Sequence, residues 1–157
     1  MNKINIDIPI TGEYATYDNL LTEAEKLPKS TRQQFTKALE TVKKNLSKEQ
    51  VYFVSTGAFD GTTFGYLFIT KKKAILAEVT QTEKFEAHEY KYDDYKEMEH
   101  DKVKVLDVTT SVIELKRSGL FGGKSNKITN IPLDDFDDIY KFIKMQMNLN
   151  ETEKPKK

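Results

Sequence analysis

The sequence predicts an α+β fold: a mostly β body, antiparallel and folded as a sandwich or barrel, preceded by helices and capped by one at the C-terminal end. Three observations carry this. From Val51 to Ile131 short apolar-rich segments alternate with turn residues, two stretches before them repeat apolar residues at helical spacing, and an amphipathic helix begins near Asp134. A chain of 157 residues, 38% of them hydrophobic, has room for one domain with a real core.

In chain order, Ile4, Ile6, Ile8 and Ile10 alternate with Asn5, Asp7 and Pro9, which puts four isoleucines on one side of an extended arm. Pro9 lacks an N–H and suits a sheet edge, so the arm is expected to close its own sheet or to pair with another subunit by strand addition. Tyr17, Leu20, Leu21, Ala24 and Leu27 have helical spacing, and Pro28 stops that run. Ser30 and Gln33 then read as a capping box, ahead of a second stripe at Phe35, Ala38, Leu39, Val42 and Leu46.

Beyond Leu46 the period changes. Strands are expected at 51–56, 64–70, 74–79, 84–92, 103–109, 112–117 and 127–131, about seven at the spacing of a sandwich or barrel. Asp93 to Asp101 reads as an exposed acidic link between strands. Phe136, Ile139, Tyr140, Ile143 and Met147 give the last helix its apolar stripe, and Asp134, Asp135, Asp137 and Asp138 crowd its start, where capping and the helix dipole favour carboxylates. From Asn148 onward only Leu149 is apolar, so residues 148–157 are expected to be a disordered tail.

Composition excludes several function classes. Lys plus Arg and Asp plus Glu both number 25, so the whole-protein field gives no reason to gather at nucleic acid or an anionic membrane. There is no cysteine, which removes disulfides, thiolate catalysis and Cys-based metal sites, and leaves His88 and His100 as the imidazoles. The first ten residues lack the basic and apolar regions of a secretory signal, and no apolar stretch approaches the roughly 20 residues of a membrane span. A cytoplasmic location is expected.

Ser118 to Ser125 ends in the Gly-Lys-Ser of a phosphate-binding loop, but its first position is serine and a strand, not a helix, is expected to follow. Nucleotide binding there is rejected in favour of a hairpin turn. Asp93, Asp94, Glu97, Glu99, His100 and Asp101 would be the place for divalent-metal hydrolysis, yet their spacing matches neither an EF-hand loop nor H-E-x-x-H. No catalytic, cofactor or metal site is assigned.

Val51-Tyr52-Phe53-Val54, then Gly65-Tyr66-Leu67-Phe68-Ile69-Thr70-Lys71-Lys72-Lys73-Ala74-Ile75-Leu76, then Ile131-Pro132 running into Asp135-Phe136-Asp137-Asp138-Ile139-Tyr140, resembles bacterial pleckstrin-homology-like (PH-like) domains, particularly the YokE-like group. The resemblance implies a seven-stranded sandwich capped by the C-terminal helix over residues 48–147, with residues 1–47 as an arm and two helices before it. It also implies a non-enzymatic interaction module. Eukaryotic relatives that hold phosphoinositides use basic residues around the first hairpin, but Ala58 to Thr63 contains none. A protein or peptide partner, self-association included, is therefore the expected ligand, with a phospholipid headgroup at Lys71, Lys72 and Lys73 as the alternative. The expected contact rim is Phe59, Lys71 to Lys73, Leu120 and Phe121.

Overall fold

The structure, a computed structural model, describes residues 16–46, 50–59, 65–79, 84–105, 108–116 and 125–153. The isoleucine arm lies outside these residues, as do Leu120 and Phe121. Two helices come first, α1 (Tyr17–Ala24) and α2 (Lys29–Leu46). Helix α1 starts on a reciprocal cap: Asn19 N–H donates to Thr16 Oγ1 at 3.4 Å, and Thr16 N–H donates to Asn19 Oδ1 at 3.1 Å. The expected capping box at Ser30 and Gln33 is not the start of α2. That helix already begins at Lys29, and Arg32 N–H donates to the Pro28 carbonyl at 2.8 Å. Proline is cheap at a helix entrance, where an N–H would have no intrahelical acceptor.

Seven strands follow: β1 (Val51–Phe59), β2 (Gly65–Thr70), β3 (Lys73–Val79), β4 (Phe85–Lys91), β5 (Glu97–Val105), β6 (Val108–Lys116) and β7 (Ser125–Thr129). A single 3-10 turn, Tyr92–Asp94, joins β4 to β5. All neighbours pair antiparallel, in the order β4-β3-β2-β1-β7-β6-β5. Strand β1 belongs to both halves of the sheet. Val51 to Gly57 pair with β2, whereas Ala58 and Phe59 pair with Thr129 and Ile128 of β7.

Two expected features of the middle strands are corrected. The stretch read as an acidic link supplies the first half of β5, and the segment read as a strand over 103–109 contains the end of β5 and the start of β6, with their connection at 106–107. An edge strand with one watery face carries carboxylates at alternate positions, which masks its period in the sequence.

Strand β2 is buried on both faces, which explains why its Gly-Tyr-Leu-Phe-Ile-Thr reads as a continuous apolar run. Leu67 and Ile69 join Ala74 and Leu76 of β3 in the sandwich interior, against Ile113, Leu115, Ile128, Phe136, Ile139 and Ile143. Tyr66 and Phe68 turn the other way, with Ile75 and Ala77, onto the stripe of α2. All five stripe residues, Phe35, Ala38, Leu39, Val42 and Leu46, are fully buried, and the Phe35 ring lies 5.4 Å from Tyr66 and 6.0 Å from Phe68. Burial pushes the Tyr66 hydroxyl up to about 12. The molecule therefore has two cores separated by one half-sheet.

Helix α3 (Leu133–Glu153) continues well into the segment expected to be a tail. It is entered through Asn130, whose φ of 60° is a left-handed conformation that asparagine tolerates. Ser111 Oγ donates to the Ile131 carbonyl at 2.7 Å and Ser55 Oγ donates to Asp135 Oδ2 at 2.8 Å, fixing the first turn of α3 to β6 and β1. A register shift between Val51 and Phe53 leaves Tyr52 as a bulge residue. Neighbours that would point to opposite faces of a regular strand both reach α3, with Tyr52 5.1 Å and Phe53 5.4 Å from the Phe142 ring.

Candidate functional site

The members of the expected rim that fall among the described residues lie apart along the β1–β3 strands. Phe59 ends β1 beside the β1–β2 connection, while Lys71 and Lys72 turn the chain between β2 and β3, about 20 Å away at the other end of β2. Leu120 and Phe121 lie outside the described residues. The three lysines also differ among themselves. Lys71 and Lys72 are exposed, the former with its ammonium 5.6 Å from the centre of the Tyr52 ring. Lys73 opens β3, its side chain is 15% exposed, and it is ion-paired with Glu89 of β4. The basic turn thus presents two cations outward, and the third is a cross-strand tie.

Burial alone would raise the Glu89 carboxyl, but the hydrogen bond and charge of Lys73, helped by the Asn45 side chain and Lys91, reverse this and hold it below its ordinary value of 4.5. A carboxyl depressed by folding adds stability that is present above the unfolded value and lost as pH falls through the folded one. Glu89→Gln is accordingly expected to cost up to ~1 kcal/mol at pH 7, with the gap from wild type closing below about pH 4.5. Urea melts at pH 7 and pH 3.5 check this.

His88 faces Leu76 in the register of β3 and β4, and its Nε2 is 3.6 Å from Glu78 Oε2. The acidic stretch is divided between the 3-10 turn, with Asp93 and Asp94, and β5, with Glu97, Glu99, His100 and Asp101. Among the described residues, no group of three or more His, Asp or Glu side chains converges as metal ligands would. The strand expected after the Gly-Lys-Ser motif is β7, so no helix N-terminus follows it to hold a phosphate.

A concave feature that the sequence did not indicate lies between β5 and the C-terminal half of α3. It has a volume of about 500 Å³ and is lined by the consecutive residues Tyr95 to Glu99, by Tyr92 and Asp93, and by Lys144, Met147 and Asn148. Successive strand residues point to opposite faces, so a groove that touches Glu97, Met98 and Glu99 in a row is met by the edge of the strand. That edge ends the sheet: among the described residues β5 pairs with β6 alone. Tyr92 and Tyr95 are buried, Met98 and Met147 are half-buried, and the charged rim has both signs.

The wall that leads into β5 is held in place. Tyr92 N–H donates to the Lys72 carbonyl at 3.0 Å and its hydroxyl to the Thr70 carbonyl at 2.9 Å, while Asn126 Nδ2 donates to the Tyr95 hydroxyl at 2.7 Å. At its far end the groove is shut by contacts between β5 and α3. The His100 ring lies 4.1 Å from Tyr140, and Lys102 sits 5.8 Å from the Phe136 ring and 3.6 Å from Asp137 Oδ1. On the other side of β5, Glu99 accepts from Lys116 at 2.9 Å, and that bond, with the nearby Glu114 and Glu97 carboxylates, raises the Lys116 ammonium.

The described residues form one sheet of seven antiparallel strands in this order, with a C-terminal helix against the sandwich and two helices outside it. No family model matches the chain, and no curated protein matches it. Among solved structures it is similar to the C-terminal domain of an unknown protein from Leishmania infantum, at 21% identity over 72% of this chain and 94% of that one, with a TM-score of 0.52. It is also similar to a pleckstrin homology domain from Shewanella amazonensis SB2B, at 14% identity over 68% of this chain and 95% of that one, with a TM-score of 0.43. The likeness to the Leishmania domain is one of fold alone. No helix among the described residues is long and apolar enough to cross a membrane.

Proposed function

We propose that the protein is a non-catalytic PH-like interaction module, of the kind the YokE-like sequence resemblance implies, and that it takes an extended peptide from a protein partner along the outer edge of β5. The observation that carries this reading is a groove with tyrosine and methionine in its lining, opening onto a strand edge that no other described strand pairs with. An added strand would draw affinity from main-chain hydrogen bonds with β5, and selectivity from alternate side chains placed over Met98, Met147 and the tyrosines. The mixed rim of Asp93, Glu97 and Glu99 with Lys96 and Lys144 would align the peptide without demanding high net charge. Bacterial cytoplasm is the setting assigned to it by the resemblance and the cysteine-free composition.

Selection of a displayed random 12-residue peptide library on the full chain tests the proposal. Selected peptides are expected to slow amide exchange in β5, and Met98→Lys with Met147→Lys is expected to weaken them at least tenfold, with the circular dichroism spectrum and a cooperative melt showing that the fold is kept at the assay temperature. Peptides that bind with unaltered affinity to the double variant, or that protect the Lys71–Lys73 turn in place of β5, would overturn it.

A further inference from the structure

The groove beside β5 is closed at one end, and an exposed lysine stands at that end. We infer that the segment it takes is the C-terminus of a partner protein, lying parallel to β5 with its terminal carboxylate on the Lys144 ammonium. This deepens the groove reading and rests on it.

Two observations lead to a chain end. The first is where the groove stops. Strand β5 and helix α3 run in opposite directions along it: the His100 and Tyr140 rings lie 4.1 Å apart, and two residues further along β5 Lys102 reaches back to Asp137 and the Phe136 ring. On the near side of this contact β5 contributes Glu97, Met98 and Glu99 to the lining, about 10 Å of strand, and α3 contributes Lys144, Met147 and Asn148, little more than one helical turn. A segment from the middle of a chain has to leave at both ends, and the His100–Tyr140 contact occupies one exit. A chain that stops inside needs only the other.

The second observation is charge. Lys144 is the lining residue of α3 next to that contact, one turn beyond Tyr140, and its Nζ is 5.8 Å from the centre of the Tyr140 ring. Among the described residues no carboxylate is paired with it. The other charges at this end are matched already, Lys102 by Asp137 at 3.6 Å and Glu99 by Lys116 at 2.9 Å. A terminal carboxylate there gains a charge-assisted hydrogen bond, whereas an N-terminal ammonium would face a like charge. With its carboxylate at the His100 end the segment runs in the direction of β5, and its inward side chains lie over Met98 and Met147.

The test uses the full chain and random 12-residue peptides displayed with a free C-terminus. A selected peptide that slows amide exchange in β5 is synthesised as the free acid, as the C-terminal amide, and with two glycines added at its C-terminus. The amide and the extended form are expected to bind about tenfold more weakly than the acid. Lys144→Gln is expected to weaken the acid by about the same factor and to leave the amide unchanged, while Lys144→Arg keeps most of the acid's affinity. Lys144 is exposed, so these replacements leave the core untouched. Equal binding of the three peptides, or a loss in Lys144→Gln that is the same for acid and amide, overturns the C-terminal assignment and leaves the groove reading standing, because a peptide still protects β5. If no selected peptide protects β5, the groove reading fails and this one with it. A dimer mass by light scattering, with β5 protected in the absence of peptide, also overturns the assignment, because the occupant is then a second copy.

Discussion

Phe35→Ala is expected to destabilise the whole molecule by about 3–5 kcal/mol, and to do so in one cooperative transition. The residue is fully buried and lies between α2 and the outer face of β2, its ring against Tyr66 and Phe68. Truncation would leave a cavity that neither neighbour can fill, since each is fixed by strand pairing on both sides. If the helices were an appendage, the variant would lose α2 and keep the sandwich, and a denaturant melt would split into two steps. A single transition by both far-ultraviolet circular dichroism and tyrosine fluorescence is the expected outcome. Because β2 is shared by both cores, α1 and α2 are structural parts of the fold.

Gly65→Ala is the second large effect, at about 1–3 kcal/mol, and its cause is crowding. A Cβ at this position would lie 2.6 Å from the Ala77 carbonyl oxygen and 3.0 Å from Leu76 Cδ1. The nearer atom belongs to the backbone of the paired strand, so β2 and β3 would have to separate at their end. Gly57→Ala, where a Cβ would meet Ile128 Cγ2 at 3.3 Å, serves as the comparison and is expected to cost less, because a side-chain methyl yields more easily than a carbonyl. Thermal melts of both variants give the ranking.

The sequence disclosed those parts of the fold in which one face of an element does one job. The α2 stripe was readable because each of its five apolar positions packs on the same sheet, and the β2–β3 hairpin because both faces are apolar. Strand β5 was not readable. Its position at the sheet edge leaves one side in water, and the side facing α3 is filled by Met98, His100 and Lys102, two of which pack by ring and cation contacts that hydropathy does not register. Pro28 was recognised as the end of one helix but not as the entrance to the next, so the Ser30–Gln33 pattern was given a role already filled a turn earlier.

The groove was hidden for a different reason. Its two walls come from residues 92–99 and 144–148, distant in sequence and mostly polar, and they become one site only because α3 returns across the sandwich. Residues singled out for exposed hydrophobicity or charge lie elsewhere: Phe59 and Lys71 at opposite ends of a hairpin, and Lys73 bound into the sheet. An open strand edge is a property of topology, and local pattern contains no trace of it.

The junction of β4 and β5 has a mechanical consequence. The first and last strands of the sheet are joined by residues 92–96, yet among the described residues no pair of strands is zipped across the gap between them. The sheet is thus a coiled leaf with an unsealed seam, fastened at one corner by Tyr92 and Tyr95 and along one margin by the His100–Tyr140 contact. Widening the seam bends the leaf without breaking a ladder hydrogen bond between the described strands, whereas parting any two neighbouring strands breaks several. Opening at this seam is therefore expected to cost less than opening between paired strands, and the seam is where a guest strand would enter.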